Sequence, residues 1–207
     1  MRLIIDRVSK SFQSRNVLRS ISAEVRDGQL LGIVGPNGSG KSTLVKIVAS
    51  LIRPSQGRVE FEIDGKSIAG SDIRPYIGMV SPELFLYDEL TAFENARFLA
   101  LMGGVQLSES RGLFDEFGIG GREHDLVRSF SSGMKQRLKL LIAMQRKPAI
   151  MLLDEPTSNL DDSGKALVRK LVDSREGITV MASNDRTEVQ DAAVIIDLAR
   201  SLAGGPR

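Results

Sequence analysis

The run Gly35-Pro36-Asn37-Gly38-Ser39-Gly40-Lys41-Ser42-Thr43 has the composition of a phosphate cradle. Glycines at 35, 38 and 40 let the backbone curl until successive N–H groups converge on an anion. A helix starting near Lys41 aims the positive end of its dipole at the same point. Lys41 supplies a point charge for β- and γ-phosphates, and the Ser42 hydroxyl suits Mg²⁺. A second group is Asp154-Glu155. Asp154 would hold the metal, directly or through water, and Glu155 would act as base on an attacking water or orient it. Alone, an acidic pair before Pro156 is an ordinary strand-end turn. Beside a phosphate loop it completes a site for phosphoryl chemistry.

Three short apolar runs must carry these groups: residues 30–34, 150–153 and 178–182. Continuous apolar runs of this length fit strands buried on both faces of a sheet flanked by helices. The phosphate loop follows the first, Asp154 ends the second, and Ser183-Asn184-Asp185 ends the third. The strand-end position predicts that Asp154 lies beside the phosphate loop. Alternation over residues 58–63 predicts a half-buried strand with Val59, Phe61 and Ile63 inward. Helical spacing covers residues 42–51 and 133–146, the second stopped by Pro148. Between 82 and 132 the pattern turns helical. Thr91 with Glu94 forms a capping box, Gly103-Gly104 ends that helix, and Ser108 starts another through Leu113 and Phe117 to Gly118. The tail 203–207 is expected to fray.

Two further segments give these pieces a family. They are Phe130-Ser131-Ser132-Gly133-Met134 and Thr157-Ser158-Asn159-Leu160-Asp161. With them, nearly the whole chain resembles the ATP-binding subunits of ATP-binding-cassette (ABC) systems. The resemblance implies an α/β fold, a P-loop NTPase with a mixed sheet flanked by helices and an inserted α-helical subdomain. Residues 1–207 would form one cassette and 82–133 the subdomain. ATP and Mg²⁺ are the implied cofactors and ATP hydrolysis the implied activity.

In the family the first segment usually reads Leu-Ser-Gly-Gly-Gln. By resemblance Ser131 supplies a hydroxyl, and Gly133 an N–H, to the γ-phosphate held by a second subunit. Ser132 belongs to the same turn, and Ser131 or Ser132 would also cap the helix that follows. Phe12 matches the aromatic that stacks on adenine; as a residue it reads equally well as a core phenylalanine. Asp161 matches a loop that couples two ATP sites and also reads as a helix cap.

The chain departs from the family at two positions. Pro82 stands where the family has a glutamine that contacts Mg²⁺ and water, and proline has no side-chain donor. Glu83, next to it, is the expected substitute oxygen ligand. Asn184 stands for the histidine that contacts the γ-phosphate; its amide can donate but cannot become charged. Losing one well-placed donor costs about 10²–10³ in rate, and a weaker retained donor less, so slow hydrolysis is expected.

The implied partners are a second cassette, identical or different, and separate transmembrane subunits docked near residues 82–98. The expected location is cytoplasmic, peripheral on the inner face of the cell membrane. The wording of the motifs and the short chain past Asn184 resemble the haem-exporter subunit of cytochrome c maturation. Small multidrug-type exporter subunits share much of it. The alternatives are a soluble ABC ATPase that does not transport, and a regulatory cassette that binds ATP with little turnover.

Bulk properties agree. The chain has 207 residues, 42% of them hydrophobic, enough for a sizeable core. A net charge of +2, with 28 basic and 26 acidic residues, gives no nucleic-acid footprint, and none is expected as a partner. The absence of cysteine excludes disulfides and cysteine-ligated zinc, and the single His124 excludes a histidine cluster. Asp6 interrupts the apolar start where a signal peptide would continue. No run approaches the ~20 apolar residues that span a bilayer, so any membrane link is expected to run through a partner.

Overall fold

Leu30–Val34, Ile150–Asp154 and Ile178–Ser183 are strands with nearly every residue buried, as their unbroken apolar character requires. In a computed structural model, which describes residues 1–13, 15–104 and 111–199, the strands in chain order are as follows. They are β1 (Arg2–Phe12), β2 (Arg15–Arg26), β3 (Leu30–Val34), β4 (Gln56–Ile63), β5 (Lys66–Ile68), β6 (Ile77–Val80), β7 (Ile150–Asp154), β8 (Ile178–Ser183) and β9 (Val194–Asp197). The helices are α1 (Lys41–Val48), α2 (Ala92–Met102), α3 (Arg111–Glu116), α4 (Ser132–Met144) and α5 (Asp162–Asp173). The expected helix start at Ser108 and the tail 203–207 lie outside the described residues.

The chain divides into two compact units. The first comprises Met1–Met79, Ala149–Glu155 and Arg175–Arg207. Its antiparallel pairing forms a sheet in the order β2-β1-β4-β5, and a second sheet runs β6-β7-β8-β3-β9, with β6 continuing to Val80. In the second sheet β7, β8, β3 and β9 pair in parallel. Register decides where the loops emerge. Val34 pairs with Ser183 and Asp154 with Ala182, so Gly35, Glu155 and Asn184 leave the sheet side by side. The ladder runs on through the Glu155 N–H to the Ala182 carbonyl at 2.9 Å. β8 lies between β3 and β7, so Asp154 is two strands from the loop rather than adjacent, and α1 packs over β7 and β8 to close that gap. The core gathers Leu3, Ile5, Leu31, Ile33, Leu44, Ile47, Leu152 and Val180, with Phe61 fully inward and Val59 and Ile63 packed at its margin.

α1 is shorter than its apolar spacing predicts. Ser50 takes the left-handed conformation at φ 55°, its N–H meets the Ile47 carbonyl, and the Leu51 N–H returns to the Lys46 carbonyl. This is a Schellman ending with serine in the place glycine usually holds. α4 likewise stops at Met144, ahead of a left-handed Lys147 and Pro148.

The second unit comprises Val80–Pro148 and Pro156–Ser174. Thr91 caps α2 with the full capping box: the Glu94 N–H donates to Thr91 Oγ1 at 3.1 Å, and the Thr91 N–H to Glu94 Oε2 at 2.8 Å. Gly103 ends α2. Buried Asn95 holds the preceding loop by bonding both the N–H and the carbonyl of Tyr87. Gln145, the C-cap of α4, donates to the Ala96 carbonyl of α2 at 3.2 Å.

Candidate phosphate site and signature loop

The phosphate loop joins β3 to α1 within the first unit. Pro36, Asn37, Gly38 and Ser42 are exposed, Gly35, Gly40 and Thr43 half-buried, and Ser39 and Lys41 buried. Gly40, at φ 102°, is the N-cap of α1 and brings no side-chain cap; a Cβ there would lie 2.7 Å from Val17 Cγ1. Only glycine fits that backbone and that space. The first turn of α1 holds no acidic residue, so its N–H groups and dipole face an anion without competition. Ser39 Oγ is buried with no hydrogen-bond partner among the described residues. These features fit a bound phosphate chain.

Lys41 is 6% exposed, and its ammonium draws the three strand ends together. Nζ donates to the carbonyls of Gly35 (2.8 Å) and Pro36 (3.3 Å) and to Asn184 Oδ1 (2.6 Å), and pairs with Glu155 Oε1 at 3.2 Å. Because an ammonium only donates, Asn184 must turn its carbonyl oxygen toward Lys41. The Asn184 N–H donates to Glu155 Oε2 at 3.3 Å. Glu155 itself sits at φ 50°, a conformation disfavoured for a residue with a Cβ, just past the end of β7. Asp154 is 2% exposed at that end. Among the described residues no three His, Cys, Asp or Glu side chains gather to cage a metal. A Ser hydroxyl and one carboxylate nevertheless suit Mg²⁺, which keeps waters and takes its other oxygens from phosphate.

Phe12 is 48% exposed at the end of β1, with Lys10 Nζ 4.9 Å from its ring centre. Its reading as a core phenylalanine is therefore overturned. Phe12 is the last residue of β1, paired with Arg15 at the turn into β2.

In the second unit Ser131 is the N-cap of α4, accepting from the Met134 N–H at 3.2 Å, while Ser132 begins the helix. Gly133 lies where a Cβ would be 3.0 Å from the Asn159 carbonyl. Asp161 caps α5 and accepts from Gly164 N–H, Ser163 Oγ and Arg137 Nη2. These bonds, the Gly164 N–H first, hold its carboxyl below the usual carboxylate range. Pro82 and Glu83 lie exposed in the turn after β6. The Pro82 carbonyl accepts from Lys139 Nζ at 3.3 Å. Sequence reasoning assigned no role to Arg137 or to buried Gln136, whose amide donates to the Pro156 carbonyl. Their only signal was that they follow Gly133 on one helix.

A family profile described as ABC transporter matches residues 18–158. The chain belongs to the ABC transporter family. This cassette is 35% identical over 184 residues to the lantibiotic transport ATP-binding protein SrtF of Streptococcus pyogenes, covering 88% of the cassette and 79% of that relative. It is 36% identical over 205 residues to the glucose import ATP-binding protein GlcV of Saccharolobus solfataricus, covering 91% of the cassette and 58% of that relative. It superposes with a TM-score of 0.79, at 26% identity, on a dimeric ATP-binding cassette in a post-hydrolysis state bound to ADP and Pi, with 94% and 93% of the two chains covered. The cassette is thus an ATP-binding ATPase with the P-loop NTPase fold.

Proposed function

We propose that this cassette is the motor of a compact exporter and works as a pair of ATP-sandwiching subunits attached to separate membrane-spanning chains. The observation that carries the site assignment is Lys41 Nζ, held between Asn184 and Glu155 where β3, β7 and β8 end. Lys41, with the N–H groups from Gly35 to Thr43, binds the β- and γ-phosphates, and Phe12 offers its exposed face to adenine. Ser42 and Asp154 would hold Mg²⁺, with Glu83 as a further oxygen. The metal would neutralise charge on the phosphate oxygens. Glu155 accepts the proton of the attacking water, or orients that water. Asn184 contacts the γ-phosphate more weakly than a histidine, and Pro82 contributes no side-chain contact, so turnover is slow. Ser131, Ser132 and Gly133 of one copy close over the nucleotide held by the other. Dimeric association of the superposed cassette supports this pairing.

Attachment to a membrane subunit is supported by exposed apolar side chains in the second unit, here assigned to the inserted helical subdomain 82–133. Phe85 is 84% exposed, Met102 73% and Leu101 51%, and Tyr87 meets Phe98 edge-on at 5.3 Å. Large apolar side chains exposed in this way fit a partner surface. Among the described residues no helix is long and apolar enough to cross a membrane. The expected location is the inner face of the cell membrane.

Export is favoured over import because the similar proteins include, beside the lantibiotic-transport relative, the linearmycin resistance ATP-binding protein LnrL of Bacillus subtilis and the daunorubicin resistance ATP-binding protein DrrA3 of Streptomyces coeruleorubidus. Haem export rests on motif wording alone and ranks below a peptide or drug cargo. The test holds Glu155→Gln closed with ATP as bait for detergent-solubilised membranes of the native cell. Recovery of a multi-span protein with ATP, and not without it, is expected; recovery of soluble proteins alone would overturn the transport reading. Single-turnover hydrolysis by the wild type beside Glu155→Gln separates a slow motor from a binding-only cassette, which Asn184 and Pro82 favour and Glu155 opposes.

A further inference from the structure

Arg137, in the second turn of α4, reaches off its helix into two other segments of the second unit. Nη2 donates to Asp161 Oδ1 at 2.9 Å and to Ser163 Oγ at 2.7 Å, and Nη1 to the Phe117 carbonyl at 3.4 Å. The side chain is 14% exposed. Gly118, at φ 68°, makes room for it, since a Cβ there would stand 2.5 Å from Nη1. A guanidinium fork held on both nitrogens fixes direction as well as distance, which a lysine cannot do.

What Arg137 fixes is the relation of two turns. One is Ser131–Gly133, at the start of its own helix. The other runs from Asn159 to Asp161, where α5 begins. Gln136, beside Arg137, fastens the same helix to the Pro156 carbonyl at 2.8 Å. The two turns line a hollow of about 590 Å³, with Ser131, Gly133, Asn159, Asp161 and Arg137 on its wall. Asp161 is committed on this wall. Oδ1 accepts from Arg137, Ser163 and Gly164, and Oδ2 from Ser163.

We propose that Arg137 is a positioning residue for closure over ATP. It sets the Ser131–Gly133 turn against the Asn159–Asp161 turn, and Asp161 acts through this pairing rather than as a nucleotide contact. The proposal rests on the reading of the cassette as half of an ATP sandwich.

The experiment uses the full chain carrying Glu155→Gln and reads two quantities: ADP affinity, and ATP-driven dimerisation by light scattering. ADP engages the phosphate loop without a second copy. Arg137→Met should leave ADP affinity within about twofold and weaken ATP-driven dimerisation about tenfold to a hundredfold, the span expected for a lost charged hydrogen bond. Arg137→Lys should recover part of the loss, since it restores the charge without the fork. Asp161→Asn keeps a good helix cap while removing the ion pair, so it guards against misfolding of the arginine variant and should weaken dimerisation similarly. Combined with Arg137→Met it should add little. A loss of ADP affinity in parallel with dimerisation would reveal a general structural role and overturn the proposal. Full dimerisation by Arg137→Met or Asp161→Asn would overturn it with the sandwich intact. Failure of the Glu155→Gln parent to dimerise with ATP would overturn the sandwich reading, and this inference with it.

Discussion

Two helix starts in this molecule use the same backbone electrostatics in opposite ways. α1 begins at Gly40 with no side-chain cap and no acidic residue in its first turn. α5 begins at Asp161, whose carboxylate takes the Gly164 N–H, and continues with Asp162. Both ends present N–H groups that need acceptors. At α5 the chain supplies the acceptor itself, so the end is satisfied and rigid. At α1 glycine withholds it, and a nucleotide can bring it instead. The first arrangement stabilises a fold and the second makes a ligand site. α2 and α4 follow the α5 pattern, through Thr91 with Glu94 and through Ser131.

Substitution at the open end should give the largest effect. Gly40→Ala places a Cβ against Val17 on a left-handed backbone, a strain of roughly 1–2 kcal/mol before the clash is counted. ADP affinity, measured by calorimetry, should fall by about tenfold or more, because relief of that strain moves the N–H groups that hold phosphate. An unchanged affinity would mean that the loop geometry at Gly40 is not what holds the ligand. Next in size is Asn184→His. It replaces a short amide with a longer donor and should raise steady-state ATP turnover by up to about tenfold, a fraction of the span for a lost donor. Unchanged turnover would remove Asn184 from the account of slow hydrolysis.

The closed end of α2 should respond in stability alone. Thr91→Ala removes the side-chain half of the α2 capping box, leaving the residue-91 backbone N–H on Glu94, and should cost about 0.5–2 kcal/mol by denaturant unfolding, with ADP affinity unaltered. The smallest effect is in pH. The carboxyls of Asp161 and Glu94 are both held below the usual range, Asp161 first by the Gly164 N–H and Glu94 first by the Thr91 N–H. A depressed carboxyl contributes stability that is complete above its unfolded value, about 4, and is lost as pH falls through the folded value. Acid unfolding curves should therefore show Asp161→Asn and Glu94→Gln less sensitive to pH below about 4 than the wild type. Equal sensitivity would mean that these caps are not linked to protonation.

The open end was the more legible of the two. Glycines at 35, 38 and 40 before Lys41, after a buried run, leave few other folds for that segment, and the strands 30–34, 150–154 and 178–183 lie where their apolar runs predict. Caps at Thr91 and Ser131 were visible because capping is a matter of a few residues in sequence. Three features were not. The Schellman ending at Ser50 puts a non-glycine in a left-handed turn, against local preference. Phe12 is exposed because of where the β1–β2 hairpin ends, which no single-strand pattern reveals. Arg137 meets Asp161 and Phe117, residues 24 and 20 positions away, and reads locally as one more charge on a helix face.

Short-range chemistry, then, was set by the sequence: which backbone can curl, which helix start is capped, which strand is apolar on both faces. These depend on neighbours along the chain. The parallel register that brings Lys41, Glu155 and Asn184 to one point belongs to the tertiary structure, as does the joining of α4 to α5 by Arg137. Both arise from contacts between segments far apart in the chain, whose pairing is chosen by burial of the whole core rather than by any residue's own preference.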